Sequence, residues 1–324
     1  MALDASRRPV RMVSGEDTII EAAWLYYHDG LNQNDIAARL GVSRATVVNY
    51  LQEARERGFV QINMADEAFS GHRLALQLKE VFGLQGALVI PDGKAGTDET
   101  ANRVARAAAR WLPSMLAPGD RLGVAWGKTI YDVAENLEPV ATPDLTVLQL
   151  VGSMATPYGF SADVCSSYVA RRLFAKCINL HVPAIVSSPH VADVLRREKL
   201  IANQLHEISH FNKTLFAVGS CLPDSHVVSS GVATVEELQW YIRHGATGVL
   251  CSRFIDRHGK WVKGPLDERL LGVSVDTMRK RETGILVSVG SDRVTAAVSA
   301  MRGGFATHLV THQSSAEMML TSGR

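Results

Sequence analysis

The amino-acid sequence predicts an α/β protein in two parts, an N-terminal winged helix-turn-helix domain and a larger Rossmann-like domain with a parallel sheet. Residues 16–58 carry apolar side chains three or four positions apart, which is typical of short amphipathic helices. From Leu84 onward, apolar runs of strand length alternate with helical patterns, as they do in βαβ crossovers over a buried parallel sheet. A chain of 324 residues is long enough for two domains. We expect these domains at residues 1–64 and 84–324, joined by a linker helix at 65–83.

The N-terminal part is expected to contain three helices and a small β-wing. The first helix ends at Gly30, the second covers residues 32–40, and the third covers residues 43–57. The apolar face assigned to the first helix consists of Ile20, Ala23, Trp24 and Tyr27. Residues 59–64 alternate between apolar and polar side chains, which indicates a strand of the wing. The apolar positions of the linker helix are Leu74, Leu78 and Phe82.

In the second part, strands and helices are expected to alternate. The strands are placed at residues 87–90, 121–125, 145–151, 179–186, 215–218, 248–255, 285–289 and 307–310. The helices are placed at residues 98–116, 129–137, 161–177, 234–244, 266–282, 292–302 and 314–321.

Composition excludes several classes of protein. No apolar run approaches the ~18 residues of a membrane helix, and the N-terminus lacks the apolar core of a signal peptide. The four cysteines form no CxxC pair and have no histidine at zinc-site spacing. The net charge of +1 excludes a protein that coats nucleic acid by bulk charge alone. We therefore expect a reduced, cytoplasmic protein with no membrane partner, no metal and no cofactor.

Residues 33–51 fit a helix-turn-helix that reads DNA. The side chains that pack its two helices together are Ile36, Ala37, Leu40, Val47 and Leu51. Gly41 permits the sharp turn, and Ser43 caps the next helix. An outward arginine can bond guanine and an asparagine adenine in the major groove. The predicted DNA-binding residues are Gln33, Ser43, Arg44, Ala45, Thr46, Asn49 and Gln52. The alternative is an ordinary helical hairpin that binds nothing.

Charge gives this head only weak affinity for DNA. Residues 1–60 contain seven arginines, no lysine and eight carboxylates, so their net charge is −1. Residues 37–60 carry a net charge of +2. Because phosphate contacts dominate DNA affinity, we expect oligomerisation to contribute as much as charge.

The segment Gly123-Val-Ala-Trp-Gly-Lys-Thr129 ends a predicted strand and opens a helix. Free backbone N–H groups and the helix dipole make such a turn a candidate anion site. A nucleotide-binding P-loop would need glycine at position 122, where this chain has Leu122, and Trp126 is too bulky for the same cradle. A single sugar phosphate or a polar sugar fits better. The alternative is a tight turn without a ligand.

Taken with the helix-turn-helix, this segment resembles the SorC family of bacterial sugar-responsive transcriptional regulators. Other matching segments are QLVGS at 149–153, VPAIV at 182–186, FAVGSC at 216–221 and GVLCSRFIDRHGKWV at 248–262. The resemblance implies an effector domain similar to sugar-phosphate isomerases and a homotetramer built as a dimer of dimers. Its implied partners are operator DNA and a small sugar, polyol or sugar-phosphate effector.

The resemblance also implies effector-binding residues, carried over by matching position. Three strand-end loops supply most of them, and Arg293 stands where relatives often have lysine. Asp163 is added from its place early in the helix after the second loop, and the alternative for it is a helix cap. Val249 departs from the family, in which aspartate is common, and this points to a different or less polar effector. The predicted effector-binding residues are Gly127, Lys128, Thr129, Gly152, Ser153, Asp163, Gly219, Ser220, Asp256 and Arg293.

Two functions compete. The favoured function is a regulator whose effector changes its binding to DNA. The alternative is a sugar-phosphate isomerase or deaminase with a DNA-binding head. Such an enzyme would need a partnered acid and base over the sugar carbon, and Asp163 and Asp256 have no identified partner. We therefore expect no catalytic residues and no enzymatic activity.

Overall fold

The computed structural model describes residues 15–62, 73–94, 96–154 and 159–323. The chain divides into two compact units, Met1–Ala65 and Asp66–Arg324. The predicted boundary at residue 64 stays a prediction, because residues 63–72 lie outside the described part. None of the described helices combines the length and the apolar character that crossing a membrane requires.

The first unit holds the helices α1 (Gly15–Tyr27), α2 (Gln33–Leu40) and α3 (Arg44–Glu56). The Asn32 side chain accepts hydrogen bonds from two backbone N–H groups in the first turn of α2, and Ser43 accepts one from the backbone of Thr46 in α3. Between the two helices, Gly41 ends α2 with a left-handed φ of 68°. Local sequence thus sets both ends of the turn, and the predicted helix-turn-helix is confirmed.

The core of the first unit contains Val47 and Leu51 as predicted, but α1 buries a different face. The buried residues of α1 are Ile19, Ala22, Ala23 and Leu25. Ile20, Trp24 and Tyr27 of the predicted face are exposed, Trp24 by 57%. Because α1 is apolar around much of its circumference, the spacing did not identify the stripe that faces the core.

The predicted wing is wrong over the part that the structure describes. Residues 59–62 form no strand, and Asn63 and Met64 lie outside the described residues. Phe59 instead packs under Arg57, whose guanidinium carbon lies 4.6 Å from the ring centre. A two-stranded wing also needs a second strand, and the described elements of the first unit are helices.

The second unit alternates helices and strands. Its helices are α4 (Arg73–Phe82), α5 (Thr97–Trp111), α6 (Lys128–Asn136), α7 (Ala162–Arg172), α8 (Pro189–Arg197), α9 (Lys199–Ile208), α10 (His226–Ser229), α11 (Val235–Arg243), α12 (Val275–Arg279), α13 (Val294–Arg302) and α14 (Gln313–Gly323). Its strands are β1 (Gly86–Ile90), β2 (Arg121–Val124), β3 (Thr146–Gln149), β4 (Lys176–Ile178), β5 (Lys213–Phe216), β6 (Ala246–Leu250), β7 (Arg253–Asp256), β8 (Thr283–Val287) and β9 (His308–His312). A helix, α4, is present over part of the predicted linker, residues 65–72 lie outside the described part, and the linker role stays a prediction.

Seven strands form one parallel sheet in the order β1-β9-β8-β5-β2-β3-β4. From β2 the chain builds outward to one edge through β3 and β4, then returns to β5 on the other side of β2 and builds toward the opposite edge. This reversal makes a topological switch point between β2 and β5. In open parallel sheets, ligands bind at such a point beyond the carboxyl ends of the strands.

Helices cover both faces of the sheet, as the Rossmann-like prediction requires. One face packs against α5, α6 and α7, with Val104, Ile130 and Val169 fully buried. The other packs against α4, α9, α13 and α14. The central strands are mostly apolar because both of their faces are covered.

Several predicted elements of the second unit are wrong in extent or kind. The strand expected at 179–186 lies earlier, as β4, and the helix expected at 266–282 shrinks to α12. The strand expected at 248–255 is an antiparallel hairpin of β6 and β7, separate from the main sheet. Its turn uses Cys251 and Ser252 at φ 47° and 64°. The turn has neither the glycine nor the asparagine that would have marked it in the sequence.

Candidate functional site

The candidate DNA-reading surface is the outer face of α3. Arg44, Ala45, Asn49 and Gln52 are exposed on this helix, whereas Val47 is buried on its opposite side. Ser43 is also exposed, and Gln33 and Thr46 are half-buried. The predicted residues therefore share one accessible surface, and their contact with DNA stays a prediction.

Hydrogen bonds within this surface hold several of its side chains in place. Arg44 Nε donates to Gln33 Oε1 at 3.2 Å, which leaves the outer nitrogens of the guanidinium directed away from Gln33. The hydroxyl groups of Ser43 and Thr46 lie 2.8 Å apart at the start of α3. An arginine next to a capped helix start suits base reading, because the first residues of a recognition helix meet the base edges.

The second candidate site is a cavity of about 250 Å³ at the carboxyl edge of the parallel sheet. Its walls come from the loops after β2, β5 and β8, from the tip of the β6–β7 hairpin, and from residues 224–227 at the start of α10. The three loops follow adjacent strands, and two of those strands flank the switch point. The cavity therefore lies where the topology predicts ligand binding.

The N-terminus of α6 opens into this cavity. Gly127 caps the helix at φ 119° and ψ 168°, a conformation available in practice only to glycine. The first backbone N–H groups of α6 have no acceptor within the helix, and the helix dipole favours an anion beside them. The Lys128 ammonium lies at the rim, 2.8 and 3.0 Å from the carboxylate oxygens of Asp132. These groups lie where the sequence predicts an anion site, and the binding of an anion there stays a prediction.

The hairpin tip closes another side of the cavity. Gly219, after β5, exchanges two backbone hydrogen bonds of 2.9 Å with Val249. Trp126 Nε1 donates to the Ser252 hydroxyl at 3.2 Å, which joins the loop after β2 to the hairpin. Cys251 and Ser252 hold left-handed conformations that cost a non-glycine residue of order 1 kcal/mol or more each. Strain of this kind is typical of ligand sites.

Polar side chains complete the cavity. Ser225 is only 8% exposed, and its hydroxyl has no hydrogen-bond partner among the described residues. Burial and the positive charge of Arg293 hold the pKa of His226 below its ordinary value, so its imidazole is mainly neutral at pH 7. Arg293 Nη1 donates to the Val289 carbonyl at 3.4 Å, and its side chain stays 27% exposed. A buried hydroxyl without a partner and a partly exposed arginine line the same cavity, and this combination suits a polar ligand.

The cavity brings together six of the ten predicted effector residues, namely Gly127, Lys128, Thr129, Gly219, Ser220 and Arg293. Gly152 and Ser153 lie outside its lining and have a packing role. A Cβ on Gly152 would come within 2.5 Å of the Pro183 carbonyl oxygen. Ser153 exchanges backbone hydrogen bonds of 2.8 and 2.7 Å with Val182 and Ala184. These two residues join two loops rather than facing the cavity.

Asp163 and Asp256 also lie outside the cavity lining. Asp163 accepts a hydrogen bond from the Ser161 hydroxyl at 2.8 Å. Burial acts to raise the pKa of Asp163, but hydrogen bonds from neighbouring hydroxyls hold it below its ordinary value. Asp256 accepts from the backbone N–H groups of His258 and Lys260 at 2.8 and 2.9 Å, which closes the turn after β7. Both carboxylates are used to shape their own loops.

Sequence reasoning missed several residues that line the cavity. They are Asp224, Ser225, His226, Ser252 and Asp292. The sequence could have indicated residues 224–226, because they belong to the loop region that follows the central strand β5. Ser252 gave no signal, because only the fold brings the hairpin tip to Trp126. Among the described residues, no group of three or more His, Cys, Asp or Glu side chains is placed to hold a metal ion.

Comparison with known proteins agrees with this architecture. Residues 66–321 match the family described as "putative sugar-binding domain", and residues 22–67 match the MarR family. The chain is 37% identical to the "uncharacterized transcriptional regulator YjhU" of Escherichia coli K12 over 94% of both chains. It is 30% identical to the "deoxyribonucleoside regulator" of Bacillus subtilis, over 93% of this chain and 96% of that one.

The structural comparison shows the same fold. The full-length sorbitol operon regulator SorC from Klebsiella pneumoniae superposes with a TM-score of 0.76 at 24% identity, covering 93% of this chain and 97% of that chain. These relatives are named as regulators rather than enzymes, which disfavours the isomerase alternative. With a helix-turn-helix head and a sugar-binding domain matched along nearly its whole length, the chain belongs to the SorC family of transcriptional regulators.

Proposed function

We propose that this regulator reads operator DNA through the exposed face of α3, and that a small phosphorylated sugar or polyol in the cavity controls that binding. The observation that carries the ligand proposal is the unpartnered Ser225 hydroxyl inside a cavity that also holds Arg293 and the N-terminus of α6. An effector acts by binding one arrangement of the protein more tightly than another.

The lining favours a phosphate group on a hydroxyl-rich body. The α6 N–H groups and Arg293 supply donors for phosphate oxygens, and an arginine can bind them in a forked manner. Asp224 and Asp292 supply carboxylates that only accept hydrogen bonds when ionised, and sugar hydroxyls can donate to them. The cavity volume of about 250 Å³ lies just below the usual range of ligand pockets, ~300 to ~1,000 Å³, and this favours a single sugar or polyol.

The ligand proposal is tested by Arg293→Ala. Loss of a charge-assisted hydrogen bond is expected to weaken a phosphorylated ligand by ~1.5–3 kcal/mol, with little effect on its unphosphorylated counterpart. Calorimetry with matched pairs of sugars and sugar phosphates measures the difference. Arg302→Ala, at the opposite end of α13, is the control and should leave the preference unchanged, because Arg302 bonds carbonyls of α14 instead. Equal losses for both members of a pair would contradict a phosphate contact.

The DNA proposal is tested by Arg44→Ala and Asn49→Ala. Each change is expected to weaken operator binding by ~1–3 kcal/mol and to relax the preference for the operator over unrelated DNA, with folding intact. Arg55→Ala is the control on the same helix, three turns further along, and should weaken both DNAs alike if it contacts phosphate only. Gel-shift titrations at fixed salt measure both affinities. Full operator affinity in both test variants would exclude α3 as the reading helix.

We also propose that the regulator acts in the cytoplasm as a homo-oligomer, with a tetramer as the expected state. The argument is the charge of its head, because residues 1–60 have a net charge of −1 and a single copy would bind DNA weakly. Two heads on one DNA would raise the affinity through effective concentration. A monomer in sedimentation at the concentrations that saturate the operator would contradict this assembly.

A further inference from the structure

Beside the cavity, three side chains form a continuous hydrogen-bonded line. Asp92 follows β1, His312 ends β9, and Ser315 lies in the first turn of α14. His312 Nδ1 is 2.5 Å from Asp92 Oδ1, and Ser315 Oγ is 2.7 Å from His312 Nε2. The order of contacts matches that of a serine hydrolase triad. Ser315 is fully buried, however, so no substrate reaches its hydroxyl and a nucleophilic role is excluded.

The hydrogen-bond partners of the imidazole fix its tautomer. Burial acts to raise the pKa of Asp92, but hydrogen bonds from Ser314 and His312 hold it below its ordinary value, so Asp92 is ionised. The Gly290 backbone N–H can only donate, so Nε2 of His312 is an acceptor and the ring proton lies on Nδ1, facing the Asp92 carboxylate. Two donors converge on that nitrogen, the Ser315 hydroxyl and the Gly290 backbone N–H at 3.4 Å. His312 thus joins the end of β9 to the loop after β8.

That loop carries Arg293 into the cavity. Gly290 has φ 98°, and its carbonyl accepts from the Arg293 backbone N–H at 3.3 Å. The Arg293 guanidinium donates to the neighbouring Val289 carbonyl at 3.4 Å. Arg293 is therefore held by residues 289–290 and by its ion pair with Asp292 at 3.7 Å, and the His312 imidazole contacts the same bend.

We propose that His312, oriented by Asp92, is a positioning residue that fixes the Gly290 bend and so holds Arg293 in place for the anionic part of the ligand. The inference rests on the proposed phosphate contact of Arg293. His312 itself lies outside the cavity lining, so it acts through the loop and not by touching the ligand.

A matched pair of variants separates positioning from general stability. His312→Asn keeps an amide near the Nδ1 position to donate to Asp92 but has no atom near Nε2. His312→Gln places an amide near Nε2, where its oxygen can accept from Gly290. With inorganic phosphate as the probe, we expect the dissociation constant of His312→Asn to rise about five- to tenfold, in line with the loss of the hydrogen bond to Gly290. For His312→Gln we expect a change within about twofold.

The double variant Arg293→Ala with His312→Asn completes the test. If His312 acts through Arg293, the double variant binds phosphate no more weakly than Arg293→Ala alone, because residues that act as one unit are not additive. The proposal would be overturned if the losses of phosphate affinity from Arg293→Ala and His312→Asn multiplied in the double variant. It would also be overturned if His312→Asn and His312→Gln lost equal affinity. The thermal unfolding temperature of every variant is recorded without ligand. If His312 had a merely structural role, its variants would lose stability, and phosphate binding would not differ between His312→Asn and His312→Gln.

Amide hydrogen exchange on ligand-free protein gives a second readout that needs no ligand. We expect faster exchange over residues 288–293 in His312→Asn than in His312→Gln, with β2 unchanged as the internal reference. Unchanged exchange over 288–293 would overturn the positioning contact. If phosphate fails to bind the unmodified protein while exchange responds as expected, the phosphate proposal falls and the contact between His312 and the loop stands.

Discussion

Replacing Asp267 with alanine is expected to lower the free energy of unfolding by about 3–5 kcal/mol. The Asp267 carboxylate accepts hydrogen bonds from the Arg253 guanidinium, the Trp261 indole, the Tyr241 hydroxyl and the Gly264 backbone, all between 2.7 and 2.9 Å. The side chains of Arg253 and Asp267 are 8% and 10% exposed. Removing the carboxylate leaves a buried positive charge without its partner, and Arg253 is part of the hairpin that closes the cavity.

Denaturant unfolding of the full chain, followed by a signal from the second unit, measures this loss. The matched control is Asp276→Ala, because Asp276 pairs with Arg279 on the surface, with a side chain that is 66% exposed. Exposed pairs contribute at most ~1 kcal/mol. A similar loss in both variants would mean that the buried pair is not stabilising. Asp267→Asn retains the side-chain shape but removes the charge and replaces one accepting oxygen with a donor, so its loss combines both effects.

Gly127→Val is expected to abolish the response to the effector while the protein stays folded. Any side chain at φ 119° costs ~1–3 kcal/mol of stability. A Cβ at Gly127 would have no protein atom within 4 Å, so the valine would enter the space beside the α6 N–H groups where we place the ligand. A ligand at 100 times its dissociation constant should add ~2.7 kcal/mol to the native protein, and the variant should lose all of it.

Gly96→Val is the matched control for this change. Gly96 caps α5 at φ 116°, likewise has open space where a Cβ would point, and does not line the cavity. Both variants should therefore carry a similar backbone cost, and only Gly127→Val should lose ligand stabilisation in thermal-shift assays. A full ligand response in Gly127→Val would move the effector site elsewhere. If both variants lost ligand stabilisation, the loss would be attributed to the lower stability of the protein and not to a blocked site.

The sequence predicted most of the parallel sheet because its central strands are buried on both faces. Such strands read as continuous apolar runs, and most of them, such as β2 and β8, lie close to where the pattern placed them. The same signal failed for β6 and β7. A hairpin with a buried turn gives one apolar run, and the left-handed Cys251 and Ser252 carry no turn signature. Periodicity likewise could not choose between the two apolar stripes of α1.

Only the parts of the candidate site that are formed by consecutive residues could be predicted from the sequence. The turn at Gly127 follows from a strand, a glycine and a helix start, all visible in the chain. Gly152 and Asp256 belong to loops of similar composition, but close packing and turn closure account for them. Ser225 and Ser252 reach the cavity from other parts of the chain, and a single sequence holds no measure of that proximity.

The pairing of β1 with β9 has a consequence for how the chain matures. The register joins Gly86 to His308, more than two hundred positions later, and it is the partnership that gives β1 a neighbour in the sheet. Contacts so distant in sequence form slowly, since a long loop must close before they contribute. During synthesis, β1 leaves the ribosome long before its partner and presents an unpaired edge until β9 has also emerged. The three helices of the head have no such dependence, so a growing chain passes through a period in which its DNA-reading part has folded and its sensor has not.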